Sequence, residues 1–436
     1  MKKSDERLAL GIPDSPEAIT EIQRRQKPVA FDNAKRAPFW KGKLDHINAS
    51  KLDDPEEWAK IPILDKDQLR KLSVEQFYED FCIAPREDIC EYWRSGGSTG
   101  QPLFYPKTYD DIRYNMVGFA RTFQCSGTLP GNVAHISFPL GIHPAGHMWA
   151  RAARIIGVGA VWGGAGASLP SAMQLQLIKD LKPTLWLGMS SYGLHLANLA
   201  AAEGIDLKAG SVSRIMCTAE AVSSAKRAKL ERDWGAEVYD CFGMTECSMM
   251  GAESEKRDGF HIWTDLAHIE ILNEDTLKPV DEGEPGLLVM TPMFSNNGAA
   301  FLRWNSGDIV TWKRNGETSS EFGVFPIIRH AHRTAGFFKI RGVNINHQEY
   351  EDFIFDIPEV NDFKAELVTA SDGTDAFLLS IELRPGSDTS VVTQNVIDKT
   401  KRVFEITADV HVMQIGTLAK EFESSVKAPR FADLRK

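Results

Sequence analysis

The sequence predicts an α/β protein. It consists of a large N-terminal domain of mostly parallel sheets flanked by helices, with an antiparallel subregion, followed by a small C-terminal α+β domain. Three observations carry this. Between about residues 132 and 246, strand-like runs alternate with helices of ten or more residues, the pattern of βαβ units. After about residue 260 the texture changes to short alternating strands joined by Gly, Asn, Asp and Pro turns. Near 330–350 a strand pair runs into a helix, and the last hundred residues read as a separate α+β unit. The boundary falls near 333–336, giving domains 1–334 and 335–436.

Taken in order, residues 1 to about 80 are charged and helical in pattern, with proline breaks in "KIPILDKDQLRKL". "NVAHISFPL" is a buried strand, and "GHMWARAARIIGVGAVWGG" a helix followed by a strand. "SAMQLQLIKDLKPTLWLGM" gives a helix, a Pro-marked turn and a strand, and "SYGLHLANLAAAEGIDL" a helix stopped by Gly204. "VSRIMCTAEAV" is a strand entering a loop, and "SSAKRAKLERDWGAEVYDCFGMTE" repeats helix, strand and loop. In parallel sheets ligands sit at the carboxyl ends of the strands, which directs attention to these loops.

Length and composition narrow the function. At 436 residues the chain exceeds one compact core, and 43% hydrophobic with 25% charged residues is ordinary for an ordered globular protein. A formal charge of −10 argues against a nucleic-acid coat, which needs a basic face. Cys82, Cys90, Cys125, Cys217, Cys241 and Cys247 form no CxxC pair, so a reducing cytoplasm is expected rather than a disulfide framework. The start "MKKSDERLALGIPDS" has no apolar run, and no stretch reaches the ~20 apolar residues of a membrane span. No nucleic acid and no membrane is expected as a partner.

Three short stretches carry chemistry. In "EYWRSGGSTGQPLFYPKT", Ser95, Gly96, Gly97, Ser98, Thr99 and Gly100 form a glycine and hydroxyl loop between two strand-like segments. Such a loop turns backbone N–H groups onto an anion, most often phosphate; a long hairpin turn is the lesser alternative when the loop is taken alone. No lysine follows Gly100, so it is not a P-loop. In "YDCFGMTEC" a strand ends in an aromatic ring, the Thr245 hydroxyl and the Glu246 carboxylate. That glutamate suits Mg²⁺, while Thr followed by Glu also suits a helix cap. In "RWNSGDIV", Asp308 follows a tight Ser-Gly turn and alone reads as a turn former.

Together, the loop, then "FGMTE", "SGD", "KIRG" and a lysine near the end resemble the motif order of the adenylate-forming enzymes. These comprise acyl-CoA synthetases, luciferase and adenylation domains. "APREDICEYWRSGGSTGQP", "QLIKDLKPT", "VYDCFGMTE", "DGFHIW" and "KIRGVNINHQEYED" are similar to signature segments of the phenylacetate–CoA ligase branch, from about residue 50 onward. The resemblance implies that ATP and a carboxylic acid form an acyl-adenylate and pyrophosphate, after which CoA displaces AMP to give a thioester. A carrier-protein thiol or an amine is the alternative acceptor, and a silent binding protein on this fold the rival of another class.

Residue by residue, the resemblance implies that Ser95–Gly100 clamp the β- and γ-phosphates. Ala219 and Glu220 of "TAEA" lie beside the base, and Asp240, Cys241 and Phe242 form the adenine slot. Thr245 meets the α-phosphate, Glu246 holds Mg²⁺, and Asp308 and Arg333 contact the ribose. Lys427 of "SSVKAPRFADLRK" is the catalytic lysine of a mobile C-terminal domain, and Lys339, Arg341 and Gly342 of "KIRG" belong to the loop that swings in for thioester formation. Gln101 stands where the family commonly has lysine, and Ala335–Gly336 where it has an acidic pair at the hinge. The cysteines of a zinc site seen in some relatives are missing around His261, so no structural zinc is expected. Relatives are often dimers, which admits a homodimer.

The acid pocket is expected from Phe138, Leu140, His143, Trp149, the Trp162–Gly164 segment, Ser191 and Tyr192. Aromatic walls with a glycine pair beside them fit a flat ring, so an aryl or arylacetic acid is the expected substrate. His143 and His147 either cap a helix and fill the core, or one of them reads a polar substituent on the ring.

Overall fold

The computed structural model describes residues 11–94, 103–166, 168–315, 320–333, 337–340, 343–369, 375–422 and 430–435. The helices of nine or more residues among them are α1 (Pro16–Arg36), α2 (Tyr109–Cys125), α3 (Ala145–Ile155), α4 (Ser171–Leu181), α5 (Ser190–Ala202), α6 (Ser224–Trp234), α7 (His347–Phe355) and α8 (Thr389–Phe404). The strands begin with β1 (Ile89–Arg94), β2 (Phe104–Thr108), β3 (Val133–Ile136), β4 (Gly159–Trp162), β5 (Leu185–Gly188), β6 (Arg214–Cys217) and β7 (Glu237–Met244). They continue with β8 (Ser248–Glu253), β9 (Phe260–Ile262), β10 (Ala267–Leu272), β11 (Gly286–Pro292), β12 (Trp304–Lys313) and β13 (Ile327–Arg333). Last come β14 (Phe337–Ile340), β15 (Val343–Asn346), β16 (Val360–Thr369), β17 (Asp375–Leu383), β18 (Ala408–Met413) and β19 (Phe431–Asp433).

Contacts divide the chain into two units: Met1–Asn132, Pro139–Ala160 and Tyr239–Thr334 in the first, and Val133–Phe138, Val161–Val238 and Ala335–Lys436 in the second. The first unit holds the antiparallel subregion, with strand order β10-β11-β12-β13-β9-β8-β7. Its core is aromatic: Trp40, Trp58, Phe77, Phe81, Tyr105, Phe301 and Trp304 are nearly inaccessible. Two buried bidentate pairs tie distant segments, Arg121 to Asp265 (2.8 Å) and Arg303 to Glu270 (2.8 and 2.9 Å).

β1 and β2 pair antiparallel, with Trp93 opposite Tyr105 and Arg94 opposite Phe104. The glycine and hydroxyl loop therefore does join two hairpin strands, though the loop itself lies outside the described residues. Thr108 then caps α2 through a capping box with Asp111. The Asp111 carboxylate also accepts from Asn297 N and Nδ2 and from Gly298 N. Gly298 runs so close under β2 that a Cβ there would sit 2.2 Å from the Pro106 carbonyl oxygen, so only glycine fits. That clamp fixes where β2 presents its side chains.

The second unit contains the expected βαβ alternation. β3, β5 and β6 run parallel, with α4 leading into β5 and α5 joining β5 to β6. Glycine ends α6, as Gly235 takes the left-handed conformation (φ 66°). Where β3 meets α4 the chain buries a polar network. Gln174 accepts from Ser137 Oγ (2.6 Å), lies 3.0 Å from His135 Nε2, and donates to Tyr192 OH (2.9 Å).

After residue 335 the strand pair β14–β15 feeds α7, as the sequence indicates. A four-stranded sheet follows in the order β18-β17-β16-β19, antiparallel at its centre and parallel at both flanks. This part meets α5 and α6 through charges rather than apolar side chains alone. Lys226 pairs with Glu351 at 2.8 Å, Arg384 with Asp233 at 3.1 Å, and Asn198 donates to Asp362.

Asp352 on α7 makes this region sensitive to pH. Burial raises its carboxyl pKa to about 6, with Glu351 adding to the rise and a Ser223 hydrogen bond opposing it. Between the ordinary value of 3.8 and about 6, the native state holds a proton that the unfolded chain has lost. Stability from this group is therefore complete below the lower value and is lost as pH rises through the higher one. Asp352→Asn should raise the melting temperature at pH 7 and leave it nearly unchanged at pH 4, read by circular dichroism. A uniform shift at both pH values would contradict the assignment.

Candidate functional site

Within the first unit, β7 delivers the predicted nucleotide-side residues. Asp240, Cys241 and Phe242 are all buried, and Phe242 packs edge-on against His330 at 5.5 Å between ring centres. Thr245 and Glu246 occupy the tight turn between β7 and β8, not the start of a helix. The reason is local: β8 returns antiparallel immediately, and Ser248 adopts φ 70° to make the reversal.

Glu246 is 5% exposed. Tyr105 OH donates to its Oε1 at 2.9 Å, and Lys66 Nζ stands 3.8 Å from the same oxygen. Its other oxygen accepts no hydrogen bond among the described residues, so it is available to a cation. Among the described residues no three His, Cys, Asp or Glu side chains converge. Any Mg²⁺ here would rest on one carboxylate together with phosphate oxygens of a nucleotide, which is how that ion is usually held. The residues present fit that arrangement.

Asp308 does not sit in a turn. It lies inside β12, where Leu287 faces Ile309 but Val289 faces Asn305, so β12 carries extra residues at Ser306–Gly307. Gly307 takes φ 75° there, and the Asp308 N–H is held by Ser306 Oγ at 3.1 Å. This is a β-bulge, which re-aims a side chain without ending the strand. Asp308 is 3% exposed and registers opposite Arg333 on β13. The structure thus brings Asp308 and the Arg333 backbone onto adjacent strands.

His143 and Leu140 are half-buried, and His147 Nε2 bonds to the Leu140 and Gly141 carbonyls, pinning that loop. Trp149 is fully buried between Phe119 (5.0 Å) and Phe123 (4.8 Å). His261, fully buried, has Nδ1 3.1 Å from the Phe322 carbonyl oxygen.

In the second unit, Ala219 adopts φ 71°, a left-handed conformation that costs a non-glycine residue about 1 kcal/mol or more. The strain aims the next carboxylate. Glu220 accepts from Ser191 N (3.0 Å), Ser191 Oγ (2.8 Å) and Ser190 Oγ (3.2 Å) at the amino end of α5. Tyr192 is buried with its hydroxyl held by Gln174 and Ser171, and Phe138 is buried beside β3. Lys427, Arg341, Gly342 and Ser95–Gly100 lie outside the described residues; Lys339 is placed on β14 by its backbone.

Sequence reasoning missed Tyr105 and Lys66. The segment after the glycine and hydroxyl loop reads as a strand, but the partner Glu246 is 141 residues away from Tyr105. No local pattern carries that information.

Residues 29–292 match the profile of the AMP-binding enzyme family. The chain is 27% identical over 358 residues to the phenylacetate–coenzyme A ligase of Thermus thermophilus, covering 80% of this chain and 77% of that protein. It is 25% identical over 422 residues to the Escherichia coli K12 phenylacetate–coenzyme A ligase, covering 93% and 92%. Among solved structures, 2-hydroxyisobutyryl-CoA ligase with 2-HIB-AMP in the postadenylation state shares the fold. Its TM-score is 0.81 at 22% identity, over 96% of this chain and 89% of that one.

Proposed function

The chain belongs to the AMP-binding enzymes, on their phenylacetate–CoA ligase branch, and from that premise we propose that it activates an aryl or arylacetic acid with ATP and passes the acyl group to CoA. The observation that carries this is the pairing of the family match with a buried Glu246 on the β7–β8 turn, one oxygen held by Tyr105 OH. An acid carboxylate is already a nucleophile. In-line attack on the α-phosphorus therefore asks for positioning and charge neutralisation, not for a general base. Mg²⁺ bound at Glu246 would supply Lewis-acid stabilisation to the phosphates. Thr245 donates to the α-phosphate, Asp308 takes the ribose hydroxyls, and Lys427 shields charge on the acid and phosphate. Residues 335–436 act as the mobile domain between the two half-reactions.

The aromatic preference is supported by the names of the sequence relatives. The test is pyrophosphate release on adding ATP, Mg²⁺ and a panel of benzoic, phenylacetic and short aliphatic acids. The best acid is then supplied with CoA, and thioester is read by chromatography. Aromatic acids turning over fastest, with acyl-CoA as product, is the expected result. Turnover confined to aliphatic acids would overturn the substrate class, and pyrophosphate release without thioester would move the acceptor to an amine or a carrier thiol.

A further inference from the structure

Lys107 lies on β2 two residues after Tyr105, hence on the same face of the strand, and registers opposite Glu91 on β1. It is 2% exposed, with its ammonium 5.0 Å over the Trp93 ring. Among the described residues, nothing accepts a hydrogen bond from that ammonium. Burial lowers the pKa of that ammonium, and the nearby carboxylates of Asp111 and Glu246 oppose only part of the fall. Both are engaged elsewhere. Asp111 is spent on Thr108 N, Asn297 and Gly298 N, and Glu246 Oε1 on Tyr105.

An ammonium taken out of water without an acceptor is strongly disfavoured, and one aromatic face returns only part of the loss. Lysine is rarely this buried unless paired. A fold that keeps it there has a use for the positive charge when something else is bound. The strand that carries it also carries the donor to Glu246, and it leaves the glycine and hydroxyl loop.

We propose that Lys107 is an oxyanion-binding residue of the adenylation site, its ammonium donating to an oxygen of the bound acid–nucleotide pair. This rests on the reading of the chain as an ATP-dependent acid ligase. Lys107 forms and breaks no covalent bond. As the carboxylate oxygen bonds to phosphorus and the bond to pyrophosphate breaks, negative charge moves over oxygens that a fixed ammonium stabilises. The anion is either a phosphate oxygen or the acid's carboxylate, and the two separate in the kinetics.

The experiment compares wild type with Lys107→Met and Lys107→Arg. Without ligands, Lys107→Met should melt at or above the wild-type temperature, because it removes a buried charge that has no hydrogen-bond acceptor among the described residues and keeps the bulk. Pyrophosphate release by the same variant should fall about 10- to 100-fold, the loss of one charge-assisted hydrogen bond, with Lys107→Arg recovering part of it. A rise in KM for ATP alone identifies a phosphate oxygen, a rise in KM for the acid alone identifies its carboxylate, and a fall in kcat alone identifies contact made in the transition state. Unchanged kinetics in Lys107→Met overturns the proposal. So does an activity loss that tracks a lowered melting temperature, which marks a structural lysine. Wild-type protein inactive on every acid would instead strike the ligase reading, and the ligand-free melting comparison would still judge Lys107.

Discussion

Lys427→Ala is expected to lower ATP-dependent pyrophosphate release by about 10²- to 10³-fold, the usual cost of removing one fixed stabiliser of transition-state charge. Thioester formation from chemically supplied acyl-adenylate should stay within a few-fold of wild type. The asymmetry follows from the charges in each step. Adenylation brings an anionic carboxylate onto a phosphorus already ringed by negative oxygens. Thioester formation starts from a mixed anhydride that carries a single negative charge on its phosphate, meets no triphosphate, and expels AMP, so the same ammonium has less to offset. The assignment rests on the position of Lys427 in the tail motif, a short step before Arg430, which is buried on Asp362 and anchors the following strand. Separate assays of pyrophosphate and of acyl-CoA, with the acyl-adenylate fed directly in the second, decide it. Equal losses in both would mean that Lys427 holds the tail in place and does not serve the first half-reaction.

Much of the framework was legible because local patterns dictate it. The alternation from "NVAHISFPL" to "VSRIMCTAEAV" becomes parallel strands with helices between them, since runs of buried apolar residues cannot be satisfied otherwise. "KIRGVNINHQEYED" becomes a strand pair and a helix, with Asn346 as the cap that its sequence offers. The alternative local readings failed where tertiary pairing overrides a local signal. "NSGD" has turn chemistry, yet β11 and β13 flank it on both sides and absorb the extra residues as a bulge. "MTEC" offers a helix start, yet β8 pairs back at once. The hardest features to read were the buried charges. Lys107, Glu351, Asp362 and Arg430 look like solvated surface residues in the sequence, and only contacts between segments far apart in the chain reveal them.

Those buried charges set the second large expectation. Asp362→Ala should destabilise the second unit by about 3–5 kcal/mol, the range for breaking one side of a buried ion pair. Asp362 is fully buried and accepts from Arg430 Nε at 2.8 Å, from Asn198 Nδ2 at 2.5 Å and from the Phe363 N–H at 2.8 Å. Truncation leaves the Arg430 guanidinium, 3% exposed, with Glu351 at 3.7 Å as its remaining ion-pair partner among the described residues. That carboxylate is already shared with Lys226. A pairing of Asp362→Leu with Arg430→Met should recover most of the loss, because apolar replacement of both partners is often neutral. Thermal unfolding of the single and double variants measures this. A single-variant effect below about 1 kcal/mol would place the pair among the weak, solvent-screened kind. Activity adds a second reading. Arg430 starts the segment through β19 that the Lys427 tail leads into, so the single variant should also slow pyrophosphate release, and the double variant should restore stability more fully than rate. Restoration of both in step would mean that stability alone had been lost, and that the buried charges serve the fold without positioning the tail.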